Sequence, residues 1–211
     1  MNFDFRRRRA LWAAIALVGA IAMPARATDE SADAITAPVR AYGDALLDVM
    51  KRATQLGVKG RYDKLAPVFS ATFDLAAMTR ISVGAQWTSL PPATQAALID
   101  AFPRMTIATY ASRFDGYSGE RFEIDPTVET RNAGRIVNTR LVKSDGGAVV
   151  LNYLMRMSGG QWKVVDIYLT GTISELATRR SEFSSILDSG GPQALIESLR
   201  QQTDKLLRSA A

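Results

Sequence analysis

The chain has 211 residues, 47% of them hydrophobic, with 26 basic and 21 acidic side chains and neither cysteine nor histidine. Those two absences exclude disulfide stapling, cysteine nucleophiles, histidine-based triads and the usual zinc sites, which removes most hydrolytic chemistry. What remains is a chain long enough for a sizeable core that must hold together by packing alone.

The excess positive charge sits at the start. Arg6 to Arg9 form a basic block, Ala10 to Met23 an apolar run, and Ala25-Arg26-Ala27 a small-x-small cleavage signature. This is the pattern of a secretory signal peptide over residues 1–27, cut after Ala27, and it implies a periplasmic protein. A retained anchor is the alternative, although fourteen apolar residues are few for a membrane span. Without residues 1–27 the chain keeps 21 basic and 20 acidic residues, a net charge of +1. That balance offers no basic stripe for nucleic acid.

Residues 28–211 read as one domain. Thr28 to Ala37 is small and polar, a frayed start. From Pro38, the apolar positions Val39, Tyr42, Leu46, Val49 and Met50 follow helical spacing to about Leu56, and Gly57 and Gly60 break the run. A short helix over residues 61–69 follows. Asp74 is placed to cap the next helix, and residues 81–87 make a further short one. Pro91-Pro92 opens the longest helix, along which Leu98, Ile99, Phe102, Met105 and Tyr110 form a stripe; Pro103 should kink it.

The period then changes from helical to strand. Residues 121–125 and 127–131 are extended, with Pro126 between them as an edge or bulge residue. Residues 136–143 form another strand. Gly147 to Gly171 holds the clearest hairpin, two β-branched and aromatic runs around Gly159-Gly160. Alternation puts Val149, Leu151, Tyr153, Met155 and Met157 on one face of its first strand. In the second strand it puts Val165, Ile167 and Leu169 opposite Trp162, Val164, Asp166 and Tyr168. Helical spacing returns with Ile173, Leu176, Phe183, Ile186 and Leu187, stops at Ser189-Gly190-Gly191-Pro192, and resumes with Leu195, Ile196 and Leu199. Helices, then an antiparallel meander, then helices indicate an α+β fold: a curved sheet of four or five strands covered on one face by helices.

Two readings of the covered face follow from the residues. In the first, a mixed aromatic and methionine lining holds an irregular apolar ligand. Its candidates are Phe69, Phe73, Met78, Ile81, Trp87, Phe102, Tyr110, Phe114, Leu151, Tyr153, Met155, Val165, Ile167, Leu169 and Phe183. An ordinary dry core produces the same pattern, and periodicity does not separate the two. In the second, Asp166 and Tyr168 act as an acid/base pair in a small cone-shaped isomerase. A protein adaptor without a ligand fits the patterning as well. Nothing in the chain calls for a metal or a cofactor.

Several stretches in fixed order carry a resemblance. They are Val83-Gly84-Ala85-Gln86-Trp87, Leu90-Pro91-Pro92-Ala93-Thr94-Gln95, Gly160-Gln161-Trp162-Lys163-Val164-Val165-Asp166, Ser181-Glu182-Phe183-Ser184-Ser185-Ile186-Leu187 and Gly191-Pro192-Gln193-Ala194-Leu195-Ile196. From Arg61 to Leu206 the chain resembles the MlaC/toluene-tolerance family of periplasmic lipid carriers. The segment from Tyr110 to Glu120 is most similar to the hopanoid-associated HpnM branch. The resemblance implies a non-enzymatic carrier that holds phospholipid or hopanoid-type lipid in an apolar hollow between sheet and helices. It also implies exchange with an inner-membrane transport complex and an outer-membrane lipoprotein complex. The expectation that matters most is the hollow, since a core filled throughout argues against a carrier.

Overall fold

The structure is a computed structural model that describes residues 31–132 and 134–208. The expected signal segment lies outside the described residues. Helix α1 covers Ala32–Lys51 and starts six residues ahead of Pro38, so residues 32–37 of the expected frayed start are helical. The reason is local: the Ser31 side chain accepts the Ala34 N–H at 3.2 Å and caps the first turn.

Helix α2, Ala53–Thr72, is interrupted once, at Gly57, whose φ of 59° lies where only glycine is at ease. Gly60, expected as a second breaker, stays helical. Asp74 accepts the Ala77 N–H at 2.9 Å and caps α3, Leu75–Val83, as the sequence indicates. A 3-10 turn over Gly84–Ser89 leads to α4, Pro92–Arg113. Pro103 sits inside α4, but helical geometry runs on through it, so the expected kink does not divide the helix.

Five strands follow in sequential antiparallel order: β1 Arg121–Arg131, β2 Gly134–Val142, β3 Ala148–Ser158, β4 Gln161–Leu169 and the short β5 Ile173–Ser174. The chain closes with α5, Glu175–Arg208, which breaks at Gly191 (φ 71°) just before Pro192.

One irregularity changes the reading of the central hairpin. Leu154 pairs with Asp166 and Met155 with Val164, which leaves Val165 as an extra residue on β4. A bulge of this kind resets the alternation. Val164 and Ile167 therefore both belong to the covered side, while Asp166 and Tyr168 part company with Val164. The single face expected for Trp162, Val164, Asp166 and Tyr168 does not form.

The helices cover the face that carries Val137, Tyr153, Met155 and Ile167. These join Tyr42, Leu46, Leu65, Phe69, Phe73, Leu98, Phe102 and Leu176 in one apolar core. Two polar ties fix α3 to the sheet: the Asp74 N–H donates to the Val164 carbonyl at 2.9 Å, and Ser158 Oγ donates to Asp74 Oδ2 at 2.8 Å.

Candidate functional site

Aromatic rings fill the middle of the layer between sheet and helices. Phe69 and Phe73, one turn apart at the end of α2, stack with centroids 4.8 Å apart. Tyr42 of α1 meets both edge-on, at 5.5 and 5.1 Å, and meets Tyr153 of β3 at 6.0 Å. Tyr110 stacks on Phe114 at 5.7 Å near the end of α4. Offset and edge-to-face pairs of this type add stabilisation beyond the area they bury.

Tyr42 also shares side-chain hydrogen bonds with Tyr110 and Tyr153, so three phenols from α1, α4 and β3 meet inside an apolar core. Burial pushes all three well above the ordinary tyrosine value, and they stay neutral hydrogen-bonding groups.

Beside this cluster lies one small enclosed cavity, lined by Phe69, Phe73, Met78, Phe102, Thr106, Tyr110, Ile167, Glu175, Leu176 and Arg179. Its free volume is about 10 Å³, the space of roughly one water molecule. The hollow expected from the sequence is thus closed in this structure, and the stacked rings of Phe69 and Phe73 line what remains of it. The larger concavities are elsewhere. One of about 420 Å³ opens beside the β1 irregularity at Pro126, and one of about 410 Å³ lies between α1 and the β3–β4 turn. Both are open grooves outside the aromatic layer.

Six of the fifteen expected lining residues border the cavity itself: Phe69, Phe73, Met78, Phe102, Tyr110 and Ile167. Tyr153, Met155 and Phe183 are buried in the same core, and Ile81, Trp87, Phe114 and Leu151 pack against it half-buried. Val165, the bulge residue, is buried but lies outside that cluster. Leu169 is 38% exposed at the end of β4.

Sequence reasoning missed the polar corner of the cavity. Glu175 opens α5, Arg179 stands one turn on, and Arg113 ends α4. Burial raises the Glu175 carboxyl above its ordinary value. Arg179 and Arg113 pull it back down, while Asp166 and Glu182 push it further up. Arg179 closes its ion pair on Glu182, at 2.9 Å. A single acid at the foot of a helix carries no linear signal, and only the convergence of α4 and α5 places it beside the cavity.

Asp166 has a different role from the acid considered above. Its carboxylate accepts Ser174 Oγ–H at 2.6 Å, the Ile167 N–H at 2.8 Å and the Leu176 N–H at 3.3 Å, fixing the start of α5 on β4. Tyr168 is half-buried and lies under the Arg131 guanidinium, 4.9 Å from its ring centroid. Neither side chain lines the cavity, so no acid/base pair forms there.

The chain is similar in fold to a phospholipid-binding protein from Ralstonia solanacearum, solved in complex with a phospholipid. The TM-score is 0.71 at 21% identity, covering 82% of this chain and 98% of that one. No curated protein matches the chain. The family model described as MlaC protein matches residues 40–201. That span runs from within α1 to within α5 and holds every element between them, and the chain belongs to the MlaC family.

Proposed function

We propose that the mature protein is a periplasmic lipid carrier, with no reaction to perform. In this reading it holds the acyl chains of a phospholipid between the sheet and helices α2 to α5 and shuttles them between an inner-membrane transport complex and an outer-membrane lipoprotein complex. The observation that carries the reading is the match of the MlaC family model to residues 40–201, supported by a fold shared with a protein solved in complex with a phospholipid. Each methylene withdrawn from water is worth about 0.8 kcal/mol, so an apolar interior supplies the affinity.

The cavity is closed, so loading requires a cover that moves. The first half of α5, residues 175–190, fits that role. It lays Leu176, Phe183 and Leu187 over the core between two backbone breaks, Gly171 (φ 80°) and Gly191 (φ 71°). Its outer ties are few and exposed: Arg180 Nε donates to the Ile81 carbonyl at 2.9 Å, and Gln86 Nε2 donates to Asp188 Oδ1 at 3.0 Å. A lipid shifts such a cover only through its greater affinity for the open arrangement.

Native mass spectrometry of the protein purified from the periplasm without detergent tests the reading. The expected result is a chain beginning at Thr28 with a lipid adduct whose mass distinguishes a diacyl phospholipid from a polycyclic triterpenoid. A bare protein that also takes up no phospholipid from vesicles would overturn it.

A further inference from the structure

We propose that the β4–β5 turn, residues 169–173, is a membrane-contacting tip that seats this end of the molecule against a lipid bilayer. The inference rests on the carrier reading for its purpose, and it names the surface by which such a carrier meets its lipid.

The tip is built from exposed apolar side chains. Among the described residues, three of the five large apolar side chains left exposed gather around this turn: Leu169 at 38%, Ile173 at 55% and Val150 at 37%. Leu169 and Ile173 are register partners across the turn. Val150 joins them from β3, where its carbonyl accepts the Thr170 N–H at 3.0 Å. Of the other two, Tyr117 lies under the Lys51 ammonium, with Nζ 5.2 Å from its ring centroid, and Met157 stands near the opposite end of β3. Single exposed apolar residues need no explanation, whereas a group of them marks a contact surface.

Two features fit lipid rather than protein. First, residues 167–174 read Ile-Tyr-Leu-Thr-Gly-Thr-Ile-Ser, eight in a row without a charge. Of the charges that bound them, Asp166 is buried in its hydrogen bonds and Glu175 borders the cavity. Beyond Val150 the register runs to Arg140 and then Glu123, one charge of each sign, so that flank offers no net charge to draw the turn to a surface. Second, the turn spends its polar groups on itself. The Thr172 N–H donates to the Leu169 carbonyl at 3.2 Å, and Thr170 Oγ1 donates to the same carbonyl at 2.7 Å. A segment that enters hydrocarbon has to satisfy its backbone internally. Thr170 stands at φ 51°, a costly conformation for a β-branched residue and one ordinarily given to Asn, Asp or Gly. An amide or a carboxylate there would carry a polar group to the tip, whereas the threonine hydroxyl is bonded back to the chain.

The place of the turn gives the contact its use. Ile167, two residues before Leu169, and Glu175, two after Ile173, both line the cavity. The covered face of β4 therefore runs from the cavity, at buried Ile167, out to the exposed tip. Three side chains make a weak contact, since apolar area sets its strength, and a shuttle needs docking that reverses.

The experiment mixes the mature full-length protein with vesicles of phosphatidylethanolamine and phosphatidylglycerol. A polarity-sensitive dye is attached at Thr172→Cys, the sole thiol in the chain. Its emission is expected to shift to the blue with vesicles, to be quenched by nitroxide-bearing lipid, and to keep the shift at high salt. Ile173→Glu and Val150→Glu, on different strands and both at exposed positions, should each lower vesicle binding by about tenfold while lipid is still held on native mass spectrometry. A shift abolished by salt would make the contact electrostatic and overturn the tip. Undiminished vesicle binding by both variants would overturn it as well. So would a dye that stays in water on a protein that carries lipid; the apolar trio would then belong to a protein interface, and the carrier reading would stand. Insertion by a protein that neither holds nor takes up lipid would confirm the contact and overturn the carrier reading instead.

Discussion

Helices α2 and α5 each contain one glycine with positive φ, and the two breaks are held in opposite ways. At Gly57 the break is locked from inside. Arg61, only 4% exposed, donates Nη1 to the Ala53 carbonyl at 2.8 Å and Nε to the Ala111 carbonyl at 2.7 Å. Those are the carbonyls that the break in α2 and the end of α4 leave without helical partners. One buried guanidinium thereby ties two helices at a fixed angle. At Gly191 the break lies near the surface, and the side-chain bond beside it is local: Ser189 Oγ donates to the Ser185 carbonyl, one turn back in the same helix, at 2.9 Å. Just before it, the link to another element is the exposed bond from Gln86 Nε2 to Asp188 Oδ1, at 3.0 Å. The contrast separates a wall tied from within, where α2 meets the end of α4, from the first half of α5, which is fixed at its start by Asp166 and tied at its far end only near the surface.

That contrast is open to direct attack. The largest effect should come from pinning the cover. Gln86→Cys with Asp188→Cys, joined by a short bismaleimide, replaces an exposed hydrogen bond by a covalent strap, and the absence of native cysteine keeps the labelling clean. Lipid uptake from vesicles should fall more than about tenfold when strapped and recover when the double variant is left unreacted. Unchanged uptake would show that lipid enters past another element.

Next in size is the lock. Arg61→Ala strands two buried carbonyls and should cost about 3 kcal/mol in chemical denaturation. Gly191→Ala, in the half-buried break where an added methyl meets nothing, should cost less despite its strained φ. Equal losses would erase the distinction between the breaks.

The smallest effect concerns Glu175 and stability. Its proton affinity is raised by folding, so its favourable contribution is complete below the ordinary value near 4.5 and is lost as pH rises through the raised one. Glu175→Gln should therefore melt a few degrees above wild type at neutral pH, and the gap should close in acid. A gap that widened in acid would mean the carboxylate is stabilised where it stands.

Much of this layout was legible in the linear pattern. Asp74 as a cap, the Gly159-Gly160 turn, the prolines opening α4 and the stop at Gly191-Pro192 all act through neighbours a few residues away, and local chemistry announces itself locally. The helical and two-residue repeats likewise marked which faces are oily. Three things escaped. The start of α1 was hidden because Pro38 looks like a first-turn residue, while the Ser31 cap draws the helix back past it. The β4 bulge was invisible because strict alternation assumes no extra residue, and Val165 resembles its neighbours. Glu175, Arg179 and Arg61 read as ordinary helix surface, since their partners lie on elements far away in sequence.

The order of elements, the α+β class and the apolar stock of the interior follow from the sequence itself, because burial pattern and turn chemistry depend on residue type and spacing. Whether that interior is open or filled was decided only in three dimensions. Stacking Phe69 on Phe73 and turning Tyr42, Tyr110 and Tyr153 toward one another requires α1, α2, α4 and β3 to be docked, and ring orientation depends on that docking. The charged corner has the same origin: Glu175 and Arg179 border the cavity only because the start of α5 is docked on β4 beside α4.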